Sequence, residues 1–412
     1  MYATIARFCN DVSGVSLMFH LDLAPADPIL GLTETFKADT HPDKINLGVG
    51  VYQDTNGKTP VLAAVKQAET LLLETETSKS YLPIPGVPEI ASYTQELLFG
   101  EHHTIIEQGR AKTAQTPGGT GALRVAADFL KRAKPNATLW LSDPSWTNHH
   151  TIFEAAGFSV QSYRYYDRTS QGLDLEGLVA DLERVDIGDI VILHGCCHNP
   201  SGIDLDKEAW ETIASQAKVK ELVCLVDFAY QGFGEGLEKD REGLHVLLDA
   251  GLAVLVASSF SKNFGLYNER VGAITIVEET ENDATNTFSH IQAAIRAIYS
   301  SPPAHGGNVV TTILGNASLR DLWIQELGEM RTRISSMRQA FVQQMAVRQQ
   351  VVDFDFINHQ KGMFSFSGLT QEQVFKLRED NHIYIVGSGR INVAGITPSN
   401  IEPLCDAVAR VL

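Results

Sequence analysis

The chain has 412 residues, 44% hydrophobic and 20% charged, an ordinary globular balance with length for roughly two or three domains. Against 50 Asp and Glu stand 33 Lys and Arg, a formal charge of -17 that disfavours nucleic acid or an anionic membrane surface as a partner. No run of about 18 apolar residues occurs, so no bilayer-spanning helix is expected.

Met1 to Leu17 lacks a long apolar core and a convincing cleavage site. Residues 1–18 are therefore set apart as an N-terminal extension, with Met18 as a candidate translation start. From about Thr113 to Val277, short apolar runs alternate with helical patterns. Residues 138–141, 190–194, 222–226, 252–257 and 273–277 read as buried strands, and 122–130, 175–182 and 210–217 as helices. The alternation predicts an α/β fold whose large domain, residues 60–329, has a mostly parallel sheet sandwiched by helices. Ligands on such sheets collect outside the carboxyl ends of the strands. Further on, Met330, Ile334, Met337, Phe341 and Met345 repeat at helical spacing and predict a long amphipathic helix. Residues 330–412, together with 19–59, are expected to form a second, smaller α/β domain.

Cys9, Cys196, Cys197, Cys224 and Cys405 show neither metal-ligand spacing nor an even disulfide framework, which suits free thiols in a reducing cytoplasm. His194 and His198 lack a third ligand at sensible spacing, so no metal is expected.

The ends of the expected strands carry the polar residues of interest. Lys262 lies just past the apolar run 252–256, in Ser261-Lys262-Asn263-Phe264-Gly265. Burial there disfavours the ammonium form, the usual way a lysine becomes a nucleophile toward a carbonyl. The plain alternative is a lysine snorkelling from a strand end. Arg270, eight residues on, offers a fork of donors suited to a phosphate. Gly118-Gly119-Thr120-Gly121 precedes a helix expected from Ala122, where glycines let backbone N–H groups approach an anion. Otherwise it is an ordinary turn with Thr120 as N-cap. Asp227 follows the run 222–226, where a carboxylate could pair with a protonated pyridine nitrogen, and Tyr230 could bond a phenolic oxygen on the same ring. A capping Asp beside a packed Tyr is the plain reading. Asn199, in the turn Asn199-Pro200-Ser201-Gly202, could reach that same oxygen. Arg390, in a turn entering a strand, and Arg296, in an apolar helical stretch, each want an anionic partner. Structural ion pairs would satisfy both; so would a dicarboxylate ligand.

Taken together these residues resemble the class I pyridoxal-phosphate-dependent aminotransferases, most like the aspartate aminotransferases. The resemblance runs from Pro25-Ala26-Asp27-Pro28-Ile29 through Ile45-Asn46-Leu47-Gly48-Val49-Gly50-Val51-Tyr52 to Arg390-Ile391-Asn392-Val393-Ala394-Gly395. Its most specific strings are His194-Gly195-Cys196-Cys197-His198-Asn199-Pro200 and Ser261-Lys262-Asn263-Phe264-Gly265-Leu266-Tyr267-Asn268-Glu269-Arg270. It implies the fold type I of these transferases, pyridoxal 5'-phosphate as cofactor, and a homodimer with shared active sites. Lys262 would bond the cofactor covalently, Asp227 would pair with its pyridinium, and Asn199 and Tyr230 would bind its ring oxygen. Gly119, Thr120, Ser259 and Arg270 would hold its phosphate, with Tyr81 reaching it from the other subunit. Trp146 would pack on the ring and help seat the substrate, and His149 would stand behind Asp227. Arg390 would bind the α-carboxylate, Gly50 would contact the substrate, and Arg296 of the partner subunit would bind the distal carboxylate. The implied reaction is reversible transamination of L-aspartate and 2-oxoglutarate to oxaloacetate and L-glutamate. An aromatic amino acid aminotransferase with dual dicarboxylate and aromatic specificity is the alternative. A cofactor-sensing regulator would need a DNA-binding domain, against which the short extension and the acidic charge both argue. The pattern departs at Thr147, where a proline is expected, and at Leu82-Pro83-Ile84-Pro85-Gly86, which is richer in proline than usual.

Overall fold

The computed structural model describes residues 28–412; the extension 1–18, residues 19–27 and Cys9 lie outside the described residues. Seven strands make the central sheet: β1 Ala111–Pro117, β2 Leu139–Asp143, β3 Val160–Arg164, β4 Ile190–His194, β5 Val223–Phe228, β6 Val254–Ser259 and β7 Val271–Val277. Their spatial order is β1-β7-β6-β5-β4-β2-β3. Only β7 runs antiparallel to its neighbours in this sheet.

The sequence runs apolar through β4 and β5 because both faces of the sheet are covered. Successive side chains alternate between faces. Ile190, Ile192, Leu225 and Leu255 pack against one helical layer, and Val191, Leu193, Cys224 and Val226 against the other. The first layer includes α1 Gly118–Ala133 and α3 Glu281–Ile298, through Leu123, Ala126, Ile291 and Ile295. The second is Lys207–Val219 with Glu242–Asp249, through Trp210, Ile213, Leu244 and Leu247. Each such aliphatic side chain contributes about 1.5–3 kcal/mol when fully buried. Between β2 and β3 lies the short helix α2 Thr147–Ala155.

The five expected strands are present, shifted by a residue or two at their ends. Two more were not expected. In β1 the buried Thr113, Gln115 and Thr116 break any apolar pattern. They are tolerated because Thr113 shares a 2.9 Å hydrogen bond with Thr275 and Gln115 Nε2 donates to the Pro303 carbonyl at 2.8 Å. Strand β3 lies at the sheet edge and buries only Tyr163, so its sequence carries little signal.

The long helix is α4, Ala317–Arg348, opened by Asn316 accepting from the Leu319 N–H at 3.2 Å. Its buried face runs through Met330, Ile334, Arg338, Phe341 and Met345, with Arg338 on the face expected of Met337. An arginine can lie there because its Nη2 donates to the Gly362 carbonyl at 2.7 Å. Two short pairings bring the ends of the chain together. Ile45–Asn46 runs parallel to Ile383–Tyr384, and Phe364–Phe366 antiparallel to Arg390–Asn392. They carry Gly48, Gly50 and Arg390 to the carboxyl edge of the central sheet, where a cavity opens. No helix among the described residues is long and apolar enough to cross a membrane.

Candidate active site

Strands that share a direction deliver their carboxyl ends to one edge. There the loops after β1, β2, β4, β5 and β6 surround a cavity of about 420 Å³. Strand β7 is reversed, so its first residue reaches the same edge and sets Arg270 beside it.

At one end of the cavity is the start of α1. The helix begins at Gly118, not at Ala122, and its N-cap is Pro117, whose side chain makes no capping hydrogen bond to the first turn. Thr120 is therefore inside the first turn and not its cap. Gly118 has φ of +72°, and a Cβ there would sit 2.6 Å from Arg270 Nη2; one on Gly119 would come within 3.0 Å of Ser259 Cβ. The two glycines thus let backbone, serine and guanidinium converge. Arg270 Nη1 donates to Ser261 Oγ at 3.0 Å and to the Tyr267 carbonyl at 3.2 Å, which fixes the fork. Uncapped helical N–H groups, two hydroxyls and an arginine form a seat for a phosphate.

Midway, Asp227 lies within β5 and is buried, 8% exposed. His149 Nε2 meets its Oδ2 at 3.0 Å. Behind His149, Ser145 Oγ lies 2.9 Å from His149 Nδ1 and 3.2 Å from His194 Nε2. Burial pushes the Asp227 carboxyl up, but the hydrogen bond and charge of His149 and the charge of Lys262 outweigh it and hold the group below its usual 3.8. Burial, aided by His149, pushes His194 down to about 3, so it is neutral near pH 7. A carboxylate kept ionised in a buried setting suits a protonated ring nitrogen.

Lys262 follows β6 and places its Nζ 4.9 Å from the centroid of the Tyr230 ring. Burial lowers its pKa below 10.5, with Asp227 opposing and Arg270 adding to the shift. Burial also pushes the Tyr230 hydroxyl well up, so it stays a proton donor.

The far wall is Arg390, 4% exposed. Its Nη1 donates to Asn199 Oδ1 at 3.2 Å and its Nη2 to the Gly48 carbonyl at 2.8 Å. Its Nε has no hydrogen-bond partner among the described residues. The guanidinium carbon stands 4.2 Å over the Phe364 ring. Burial pushes its pKa down to about 10, which leaves it a cation at neutral pH. No carboxylate among the described residues pairs with it, so the structural ion pair considered from sequence is not there. Gly50 passes so close to Phe364 that a Cβ would lie 2.7 Å from Cζ.

Gly50, Gly119, Thr120, Trp146, Asn199, Asp227, Tyr230, Ser259, Lys262, Arg270 and Arg390 all line this cavity. His149 stands behind it, its ring edge-on to Trp146 at 5.3 Å. Tyr81 and Arg296 do not. Tyr81 is 98% exposed. Arg296 is exposed on α3, not held in apolar company, because its side chain leaves the buried stripe of Ile291 and Ile295 and bonds Ser300 Oγ. Sequence reasoning assigned no role to Ser145, Ser261, Tyr267 or Phe364. Phe364 could have been found by its place in the alternating Phe364-Ser365-Phe366; the serines carry no such signal.

Known proteins fit this arrangement. The family described as "Aminotransferase class I and II" matches residues 42–408. The chain is 55% identical to the aspartate aminotransferase of Escherichia coli (strain K12), over 95% of this chain and 99% of that one. It is 42% identical to the aromatic-amino-acid aminotransferase of the same organism, over 95% and 99%. The crystal structure of the aromatic-amino-acid aminotransferase from Burkholderia pseudomallei, covalently bound to pyridoxal phosphate, superposes with a TM-score of 0.94 at 47% identity, covering 96% of this chain and all 100% of that one. The chain belongs to the class I and II aminotransferases.

Proposed function

We propose that the protein is an aspartate aminotransferase that exchanges an amino group between L-aspartate and 2-oxoglutarate with pyridoxal 5'-phosphate. The observation that carries this reading is the convergence of Lys262, an ionised Asp227 and a carboxylate-free, buried Arg390 on one cavity. The cavity fits the cofactor at both ends. Gly119, Thr120, Ser259 and Arg270 would hold its phosphate, Asp227 its pyridine nitrogen, and Asn199 and Tyr230 its ring oxygen. When bound, pyridoxal phosphate supplies an electron-poor ring that accepts the charge left as the amino acid loses its α-proton.

The chain's own residues do the rest. Arg390 and Asn199 orient the α-carboxylate, with the unpartnered Nε of Arg390 as the waiting donor. Lys262, its ammonium disfavoured by burial, would take the α-proton as a neutral amine and, as the ammonium so formed, would deliver it to the former aldehyde carbon of the cofactor. His149 holds Asp227 in its ionised form, backed by Ser145 and the neutral His194. Trp146 and Phe364 wall the site against water.

We infer a homodimer in which Tyr81 and Arg296 of the partner subunit complete each site. In support, both are exposed, and the chain also leaves large apolar side chains uncovered, Leu73 at 85% among them. Residues 60–329 would form one lobe and 19–59 with 330–412 the other, the continuous α4 joining them. The buried free thiols of Cys196, Cys197, Cys224 and Cys405 suit the cytoplasm.

Dual aromatic specificity is the second reading, favoured by the close superposition on an aromatic aminotransferase. Following the cofactor's visible absorbance in half-reactions separates the two. Rapid bleaching by L-aspartate, with L-phenylalanine slower by roughly a hundredfold or more, supports the aspartate enzyme. Comparable rates move the assignment to the aromatic one, and absence of the absorbance band after adding pyridoxal phosphate refutes both.

A further inference from the structure

We propose that Cys196, Cys197 and Asp240 form a second site, outside the active-site cavity, for a thiophilic divalent cation of the zinc or cadmium class. One ligand atom from each lies within 4.8 Å of the other two, and all three residues are buried. A tetrahedral ion with such ligands holds its donor atoms about 3.5–3.8 Å apart. A small contraction of the side chains therefore suffices.

The backbone is arranged to make this cluster. Neighbouring residues of an extended chain point to opposite sides. Cys197 departs from that geometry, with φ of +52°. A non-glycine residue is strained in this region, and that turn of the backbone brings both sulfurs to one side. The loop is held there by Asp204, whose carboxylate accepts the Cys197 and His198 N–H groups, each at 2.8 Å. Room for the thiol comes from Gly362, where a Cβ would lie 2.7 Å from Cys197 Sγ.

Asp240 is oriented as a ligand would be. Its oxygens accept the N–H groups of Gly232, Gly234 and Glu235 at 2.8, 3.0 and 2.7 Å. A carboxylate has about four acceptor positions, so one remains, and the outer hydrogen bonds fix where it points. A cavity of about 170 Å³, lined by Cys196, Asp204 and Asp240, gives an ion access and room for a water as fourth ligand. Cations stand nearby, but their closest partners are others: Lys361 pairs with Glu235 at 2.5 Å, Lys239 with Glu242 at 2.6 Å and Lys207 with Glu211 at 3.7 Å, while Arg331 and Arg338 donate to the carbonyls of Gly232 and Gly362. Among the described residues neither Asp204 nor Asp240 forms a direct ion pair, although the charges of Lys361 and Arg331 reach them.

Binding is a ligand exchange without redox change. Each thiol releases its proton to solvent as its sulfur bonds the metal, so one divalent ion displaces two protons. Cys197 is two residues from Asn199, so occupancy of this site adjoins the active site without sharing its ligands.

The test is a titration of the pyridoxal-phosphate-loaded protein with cadmium ion alone, in a background carrying Cys9→Ser. It reads the ultraviolet thiolate-to-cadmium absorbance together with proton release in weak buffer. One ion per chain and two protons per ion are expected, with binding weakened at least tenfold in Cys196→Ser and in Cys197→Ser and unchanged in Cys224→Ser. Proton release is read on the protein with all three of these cysteines intact, so a misfolded variant does not remove the test. No thiolate absorbance at saturating cadmium overturns the proposal, as does a signal that survives Cys196→Ser in a folded variant or one that depends on Cys224.

Discussion

The two walls of the active-site cavity are made in different ways. The wall that fits the cofactor stands on the edge of one sheet, and its key groups come from short connections: Gly118 to Thr120 after β1, and Lys262 to Arg270 between β6 and β7. The opposite wall is assembled from remote parts, since Arg390 bonds Asn199 across 191 residues and Gly48 across 342. Local geometry fixes the first; only completed tertiary packing fixes the second. The difference teaches that cofactor retention and substrate recognition can fail separately.

The largest effect is expected at the cofactor wall. Lys262→Ala would remove the residue proposed as both covalent partner and base, and turnover should then fall by about 10⁴-fold or more while phosphate-anchored cofactor still binds. Near-normal transamination by that variant would sink the assignment. Arg390→Ala should cost about 10²–10³-fold in kcat/KM, as losing one partner of a buried charged contact does. Its cofactor absorbance should be unchanged; loss of the absorbance as well would show that the walls are not independent. Smaller and selective is Arg296→Ala, expected to lower kcat/KM for aspartate by about tenfold or more while sparing phenylalanine. Equal losses on both substrates would remove Arg296 from the recognition of the distal carboxylate.

The smallest effect is a pH dependence behind the cofactor wall. His194 has a folded pKa of about 3 against an ordinary 6.5. Below about 6.5 the unfolded chain takes up a proton that the folded chain refuses, so stability falls as pH drops from there toward 3. His194→Asn should therefore narrow the difference in Tm between pH 8 and pH 5, and an unchanged difference would count against a neutral His194 in the folded protein.

What could be read from the sequence follows the same division. Lys262, Arg270, Gly119 and Asp227 stand beside apolar runs that become strands, so period and position point to them directly. The parallel core was legible for the same reason. Strand β1 was not, because Thr113, Gln115 and Thr116 are buried through hydrogen bonds that no hydropathy pattern announces. The start of α1 was read four residues late, since glycines are poor helix formers and only contact with Ser259 and Arg270 explains them. Arg296 misled for a different reason: apolar neighbours in sequence lie on a different face of a helix from a charged residue between them.

The reversal of β7 has a consequence for distance itself. Because β6 and β7 are consecutive antiparallel strands, Lys262 and Arg270 ride on a single connection whose feet, Ser259 and Gly272, lie opposite each other in the ladder, with the Phe260 N–H donating to the Val271 carbonyl at 3.0 Å just above them. The connection works as a ruler: it sets the gap between an amine and a phosphate clamp without reference to the remainder of the chain. One residue added or removed between 263 and 269 would change that gauge while leaving every named side chain in place.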